Sequence, residues 1–236
     1  MVHTLYRNIA APVLEFIYPP VCAACEQRLD RGTTIVCSQC WSSFREVHKN
    51  DEVWLELEAR LVAENAVQDI LSCFLFEKEG PLQLTIHLLK YQGMKSLGVR
   101  LGREIGTRIQ SNCSFSSADY LVPVPLHKSK QRERGYNQSE YICKGIAETT
   151  PLLLHPSLLK RKKYTQTQTQ LSAEQRKENV DDAFEVRRGF ESGVEGKTFI
   201  LIDDVITTGS TIEACARVLV AHGAKRILAA SVALAQ

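Results

Sequence analysis

Residues 199–211 read Phe199-Ile200-Leu201-Ile202-Asp203-Asp204-Val205-Ile206-Thr207-Thr208-Gly209-Ser210-Thr211. The four apolar residues carry no polar alternation and suit a strand buried on both faces of a parallel sheet. Asp203 and Asp204 are then expected at the carboxyl end of that strand, where an open α/β sheet forms its ligand crevice. Paired carboxylates there can accept hydrogen bonds from vicinal sugar hydroxyls. Thr207 to Thr211 follow with backbone N–H groups and hydroxyls at the start of a helix, where about half a positive elementary charge favours a phosphate. Gly209, without a Cβ, lets the main chain approach closely. Ile212, Cys215, Leu219 and His222 recur at helical spacing, and Gly223 ends the helix.

Outward from this stretch the pattern is one of alternating strands and helices. Strands are expected over Val67–Phe76, Tyr120–Val124, Phe199–Ile202 and Ile227–Leu234. Leu82, Ile86 and Leu89 mark a helix after Gly80-Pro81. Lys90-Tyr91-Gln92-Gly93 breaks it, and Met94, Leu97, Leu101, Ile105 and Ile109 resume the 3.6-residue stripe. The fold expected is α/β, a doubly wound, mainly parallel sheet. Residues 50–65 are charged and Glu-rich, with Trp54, Leu57 and Leu61 at helical spacing, and read as a connection between modules. The organisation expected is an N-terminal module over 1–48, a helical linker over 49–65 and the main domain over 66–236.

The N-terminal module carries the second specific signal, Cys22-x2-Cys25 followed by Cys37-x2-Cys40, with eleven residues between the pairs. Two such knuckles bring four thiolates to a tetrahedral Zn²⁺ and leave no open position, so the metal is expected to be structural. A disulfide reading needs an oxidising compartment, and the N-terminus does not read as secretory: Arg7 lies mid-segment and Glu15 inside the apolar stretch. Gly32 sits in the hairpin between the knuckles. Leu5, Ile9, Val13, Phe16 and Ile17 line one face of a short helix ahead of Pro19-Pro20, with Pro12 kinking or delaying it. Cys73, Cys113, Cys143 and Cys215 have no metal-type spacing and read as buried thiols in a reducing cytoplasm. The 236 residues, 44% apolar, suffice for one medium domain and a small metal-stapled one. A net charge of +2 gives no global nucleic-acid signature. No apolar run approaches the ~20 residues of a membrane span.

Two polar segments complete the pattern. After Leu121-Val122-Pro123-Val124-Pro125-Leu126-His127, Lys128, Lys130, Arg132 and Arg134 crowd an expected loop that leads through Gly135-Tyr136-Asn137-Gln138 into another helix. Arginine forks suit bidentate phosphate contacts, which favours Arg132 and Arg134 over the lysines. Residues 160–182 are hydrophilic and contain Lys163-Tyr164-Thr165-Gln166-Thr167-Gln168-Thr169-Gln170, Arg176 and Asn179. Tyr136 and Tyr164 beside the basic clusters offer rings on which bases of a single strand can stack, or serve as packing residues.

The 199–211 stretch resembles the 5-phosphoribosyl-1-pyrophosphate (PRPP) signature of type I phosphoribosyltransferases. The resemblance implies that Asp203 and Asp204 hold the ribose hydroxyls and act as the catalytic pair, and that Val205, Ile206, Thr207, Thr208, Gly209, Ser210 and Thr211 grip the 5-phosphate. It implies that Lys128, Arg132 and Arg134 hold pyrophosphate with Mg²⁺. It further implies that Lys163, Thr165, Gln168 and Arg176 belong to a flexible loop that closes over the ligand. The signature, the cysteine knuckles, Lys90-Tyr91-x-Gly93, Pro123-Val124-Pro125-Leu126, Arg132-x-Arg134-Gly135-Tyr136-Asn137-Gln138 and the Thr-Gln run are together similar to the ComF family of competence-related, phosphoribosyltransferase-like proteins. That similarity implies a type I phosphoribosyltransferase-like sheet with a zinc-ribbon-like module. It also implies a cytoplasmic, PRPP-binding protein that assists single-stranded DNA uptake with a helicase-like partner. The alternative is a free-standing phosphoribosyltransferase acting on a small nitrogen nucleophile.

Overall fold

The computed structural model describes residues 19–29, 35–63, 67–162 and 183–235. The expected N-terminal helix face, the Gly32 hairpin, Tyr164, Asn179 and the flexible-loop residues Lys163, Thr165, Gln168 and Arg176 lie outside them. Two compact units are present. One comprises the described residues up to Phe44 together with Glu77–His87, and the other comprises Arg45–Phe76 and the described residues from Leu88 onward.

The first unit contains the short helix α1 (Ser38–Ser42), whose N-cap is Cys37, and the four cysteines of the two knuckles. A bridge between Val21 and Arg28 closes the first knuckle. Trp41 packs on Phe44 at 5.0 Å.

The second unit contains α2 (Glu52–Ala63), β1 (Asp69–Leu75), the end of α3 (Pro81–Tyr91), α4 (Lys95–Gln110) and α5 (Cys113–Ser116). Next come β2 (Tyr120–Pro123), α6 (Lys128–Arg134), α7 (Gln138–Ala147), β3 (Leu153–Leu154), β4 (Leu159–Arg161) and β5 (Phe184–Val186). It finishes with β6 (Thr198–Ile206), α8 (Ser210–Ala221) and β7 (Arg226–Leu234). β4 and β5 pair antiparallel. The other five strands form one sheet in the order β1-β7-β6-β2-β3, every neighbouring pair parallel. The apolar run behaves as its composition requires, since Phe199, Ile200, Leu201 and Ile202 are all fully buried, with helices covering both faces.

On one face, Leu57 and Leu61 of α2 share a core with Ile212, Cys215 and Leu219 of α8 and with Phe199 and Leu201. The helix expected as a connection is thus part of this unit's core. On the other face α4 crosses α7 at glycines. A Cβ on Gly102 would lie 2.0 Å from the Ile142 carbonyl oxygen, and one on Gly145 would lie 2.0 Å from that of Val99. No helix of the described residues is long and apolar enough to cross a membrane.

The topology locates the site. From β2 the chain steps outward to β3, then returns to the other side of β2 as β6, so the strand order reverses between β2 and β6. A crevice beyond the carboxyl ends of such a strand pair is where open α/β sheets bind ligands.

Candidate functional site

The β2–β6 ladder ends at Pro123 opposite Ile202, with one further bond from the Val124 N–H to the Ile202 carbonyl. β6 nevertheless runs on to Ile206, held by β7 alone. Asp203 and Asp204 therefore lie within the last part of the strand, on an edge from which β2 has departed. This corrects the expected boundaries: Val205 and Ile206 belong to the strand, and Ile206 is a core residue. The turn is confined to Thr207–Gly209, with Ser210 and Thr211 opening α8.

Gly209 adopts φ +74, and a Cβ there would meet Leu57 and Leu61 of α2 at 2.9 Å, so the turn is seated on α2 and only glycine fits. The Thr208 and Ser210 hydroxyls are 3.1 Å apart. Arg60, across the turn on α2, donates from Nη2 to Ser210 Oγ at 2.9 Å. Arg60, Glu56, Thr207 and Thr208 are among the residues lining a cavity of about 180 Å³ beside it. The sequence reading missed Arg60, for which a charged residue on a helix gave no distinguishing signal.

The two carboxylates have different surroundings. Asp204 is nearly buried; its Oδ1 accepts the Val205 N–H at 2.7 Å and its Oδ2 lies 3.0 Å from Lys90 Nζ, at the end of α3. Asp203 is half-buried, and its Oδ1 accepts the Asp204 N–H at 2.8 Å and the Ser139 hydroxyl at 3.4 Å. Burial, reinforced by the adjacent Asp204 charge, pushes Asp203 up to about 7 against the pull of the Asp204 N–H, Lys90 and Ser139. Lys90 and Ser139 are site residues that the motif did not reveal. Lys90 entered only in a helix-breaking tetrapeptide and a family motif without an assigned role, and Ser139 was not singled out.

The basic run also differs from expectation. Lys128 to Arg134 form α6, not a loop, capped by His127 at its start and by Gly135 at its end. Lys128 and Arg132 are exposed, Arg132 Nε reaching only the Lys128 carbonyl at 3.4 Å. Arg134 is half-buried; it lies over the Tyr91 ring at 5.2 Å and donates to Gln138 Oε1 at 2.9 Å. Asn137 ties this segment to the end of β2, donating from Nδ2 to the Val124 carbonyl at 2.9 Å while its Oδ1 caps α7. Tyr136 is buried, its hydroxyl donating to the Leu89 carbonyl and its ring edge-on to Tyr141. The base-stacking role considered for Tyr136 is therefore corrected to packing. In the basic cluster at 160–163, Lys160 pairs with Glu185 at 3.0 Å and Arg161 lies over Phe184.

In the first unit the sulfurs of Cys22, Cys25, Cys37 and Cys40 all lie within 4.8 Å of one another. Those of Cys25 and Cys37 are 3.8 Å apart, matching the edge of about 3.8 Å that Zn–S bonds of about 2.3 Å give a tetrahedron. Cys22 Sγ accepts N–H groups from Ala24 at 3.4 Å and Cys37 at 3.3 Å. Burial opposes ionisation there, but these donors prevail and bring the Cys22 thiol down to about 6. The cluster is compatible with a structural zinc site. None of the eight cysteines is in a disulfide, and Cys73, Cys143 and Cys215 are buried as expected, whereas Cys113 is exposed.

The model of the phosphoribosyl transferase domain matches residues 157–235, the part that contains β6, the turn and α8. The DNA utilization protein YhgH of Salmonella typhimurium is 31% identical over 150 residues, covering 62% of this chain and 64% of that protein. The chain thus spans a little under two thirds of the length of such relatives. The competence protein ComFC of Bacillus subtilis is 26% identical over 212 residues, covering 86% of this chain and 79% of that one. Among solved structures, a glutamine PRPP amidotransferase from B. subtilis matches with a TM-score of 0.41 and 21% identity, over 58% of this chain and 26% of that one. Sheet order, site position and domain match define a phosphoribosyltransferase-like protein. Within that class, the relatives and the four-cysteine cluster make the chain similar to the ComF-type competence proteins.

Proposed function

We propose that this protein binds PRPP in the crevice between the ends of β2 and β6 and serves single-stranded DNA uptake beside a helicase-like partner. The observation that carries the reading is the juxtaposition at the topological switch point. Two adjacent carboxylates stand on an unpaired strand edge, and a hydroxyl-lined turn opens the twelve-residue α8 one step beyond. Asp203 and Asp204 take the ribose hydroxyls, Thr207 to Thr211 the 5-phosphate, and Lys128, Arg132 and Arg134 the pyrophosphate. Mg²⁺ enters on the pyrophosphate, whose oxygens are donors suited to a hard cation. Zn²⁺ is held by the four cysteines and orders the first unit.

The DNA role is supported by the names of the relatives, a DNA utilization protein and a competence protein. The exposed Lys128 and Arg132 provide the local positive charge that a net charge of +2 does not. Calorimetry with PRPP and Mg²⁺ tests the site. Binding is expected for the wild type and its loss for Asp203→Ala/Asp204→Ala with unchanged circular dichroism, whereas unchanged affinity overturns the assignment. Failure of a labelled single-stranded oligonucleotide to bind even at low salt, with pyrophosphate released onto one base or amine, would replace the DNA role by ribosyl transfer.

A further inference from the structure

The tetrapeptide Lys90-Tyr91-Gln92-Gly93 has no role in the site as drawn from the strand–turn–helix, yet the last turn of α3 touches both halves of it. Lys90 Nζ is 3.0 Å from Asp204 Oδ2, the Tyr91 ring carries the guanidinium of Arg134 at 5.2 Å, and the Leu89 carbonyl accepts the Tyr136 hydroxyl. Three consecutive residues thus fix one helix end between the carboxylate pair and the segment that closes the basic helix.

We infer that Lys90 is a ligand-contacting cation of this site, released from Asp204 when ribose hydroxyls arrive and turned onto the pyrophosphate. The inference rests on the PRPP reading and extends it by one residue. Without ligand, the ammonium balances two neighbouring carboxylates, while the remaining Asp204 oxygen is committed to the Val205 N–H. A sugar diol can donate to Asp204 in its place, so releasing the ammonium leaves no bare carboxylate in the crevice. The Lys90 side chain is 22% exposed against 5% for Asp204, so the cation stands at the mouth of the pair and is already largely stripped of water. An ammonium on a flexible four-carbon stem, with three rotatable donors, can exchange one oxygen for another, and an incoming polyanion supplies the charge that draws it. Lys128 and Arg132 are exposed and must give up more hydration to do the same.

Calorimetry on the full chain with PRPP, inorganic pyrophosphate and ribose 5-phosphate as separate probes tests this. Lys90→Met is expected to weaken PRPP and pyrophosphate by about tenfold or more while ribose 5-phosphate changes less than about threefold. An equal loss for ribose 5-phosphate would make Lys90 a support for Asp204 only and overturn the inference, as would unchanged affinity for all three. Should Lys90→Met fail to fold with Asp204 left unpaired, Lys90→Met/Asp204→Asn is compared with Asp204→Asn. The same loss of pyrophosphate affinity supports the role, and equal affinities overturn it. A wild type that binds PRPP beside an indifferent Lys90 variant defeats this inference alone, whereas a wild type that binds none of the probes defeats the PRPP reading and this with it.

Discussion

Asp203 faces Asp204 along its own strand, Ser139 from α7 and Lys90 from α3, and its charge is felt by Cys215 of α8, as is that of Arg161 of β4. Burial and the Asp204 charge raise its carboxyl to about 7, well above the value of about 3.9 expected in the unfolded chain. Between those two values the folded protein binds the proton that the unfolded chain releases. This group's contribution is therefore fully present below about 4, declines as pH rises to about 7, and is flat above. Asp203→Asn removes the titration. The variant is expected to gain up to about 4 kcal/mol on wild type at pH 8, with the advantage vanishing toward pH 4. Urea unfolding of both proteins across that range checks it, and a pH-independent difference would contradict the assignment.

The elements that hold the site are set by close backbone approach as much as by apolar area. α7 delivers Ser139 to Asp203 and rests on α4 through Gly102 and Gly145, where an added Cβ would meet carbonyl oxygens and not flexible side-chain tips. The helices must separate to admit a methyl group, so Gly102→Ala is expected to cost about 3 kcal/mol. Gly193→Ala, with nothing within 4 Å of the new Cβ, is the control and should be near neutral. Thermal or denaturant melts of the pair separate this steric effect from a general effect of alanine. α2 plays the corresponding part on the other face, where Leu57 and Leu61 bear on Gly209 and Arg60 holds Ser210, so the turn after β6 has a packed floor.

At the scale of the molecule, one unit has its own sheet and core, and the other carries four cysteines whose geometry is compatible with a structural zinc site. A four-thiolate zinc site supplies ~10–16 kcal/mol of apparent binding free energy, more than a unit this small gains by burial. One zinc per chain is expected by elemental analysis. In Trp54→Phe, where Trp41 is the sole tryptophan, a strong chelator should shift the tryptophan emission while leaving the main unfolding midpoint in place. Chelation without effect on Trp41 would remove the structural role of the metal. The amino-acid order by itself determined the parallel strand, the acidic pair, the glycine turn and the paired knuckles, because each is written in a few consecutive residues as apolar run, turn chemistry or ligand spacing. It also marked the helix break at Gly93, which adopts φ +69. Tertiary structure alone decided that Lys90 meets Asp204, that Arg60 meets Ser210 from 150 residues away, that Tyr136 is interior and that the strand outruns its acidic pair by two residues. Local patterns carry the period and the chemistry of an element. Which charged side chain closes on which partner depends on strand order and helix crossing, and these exist only once the chain has folded.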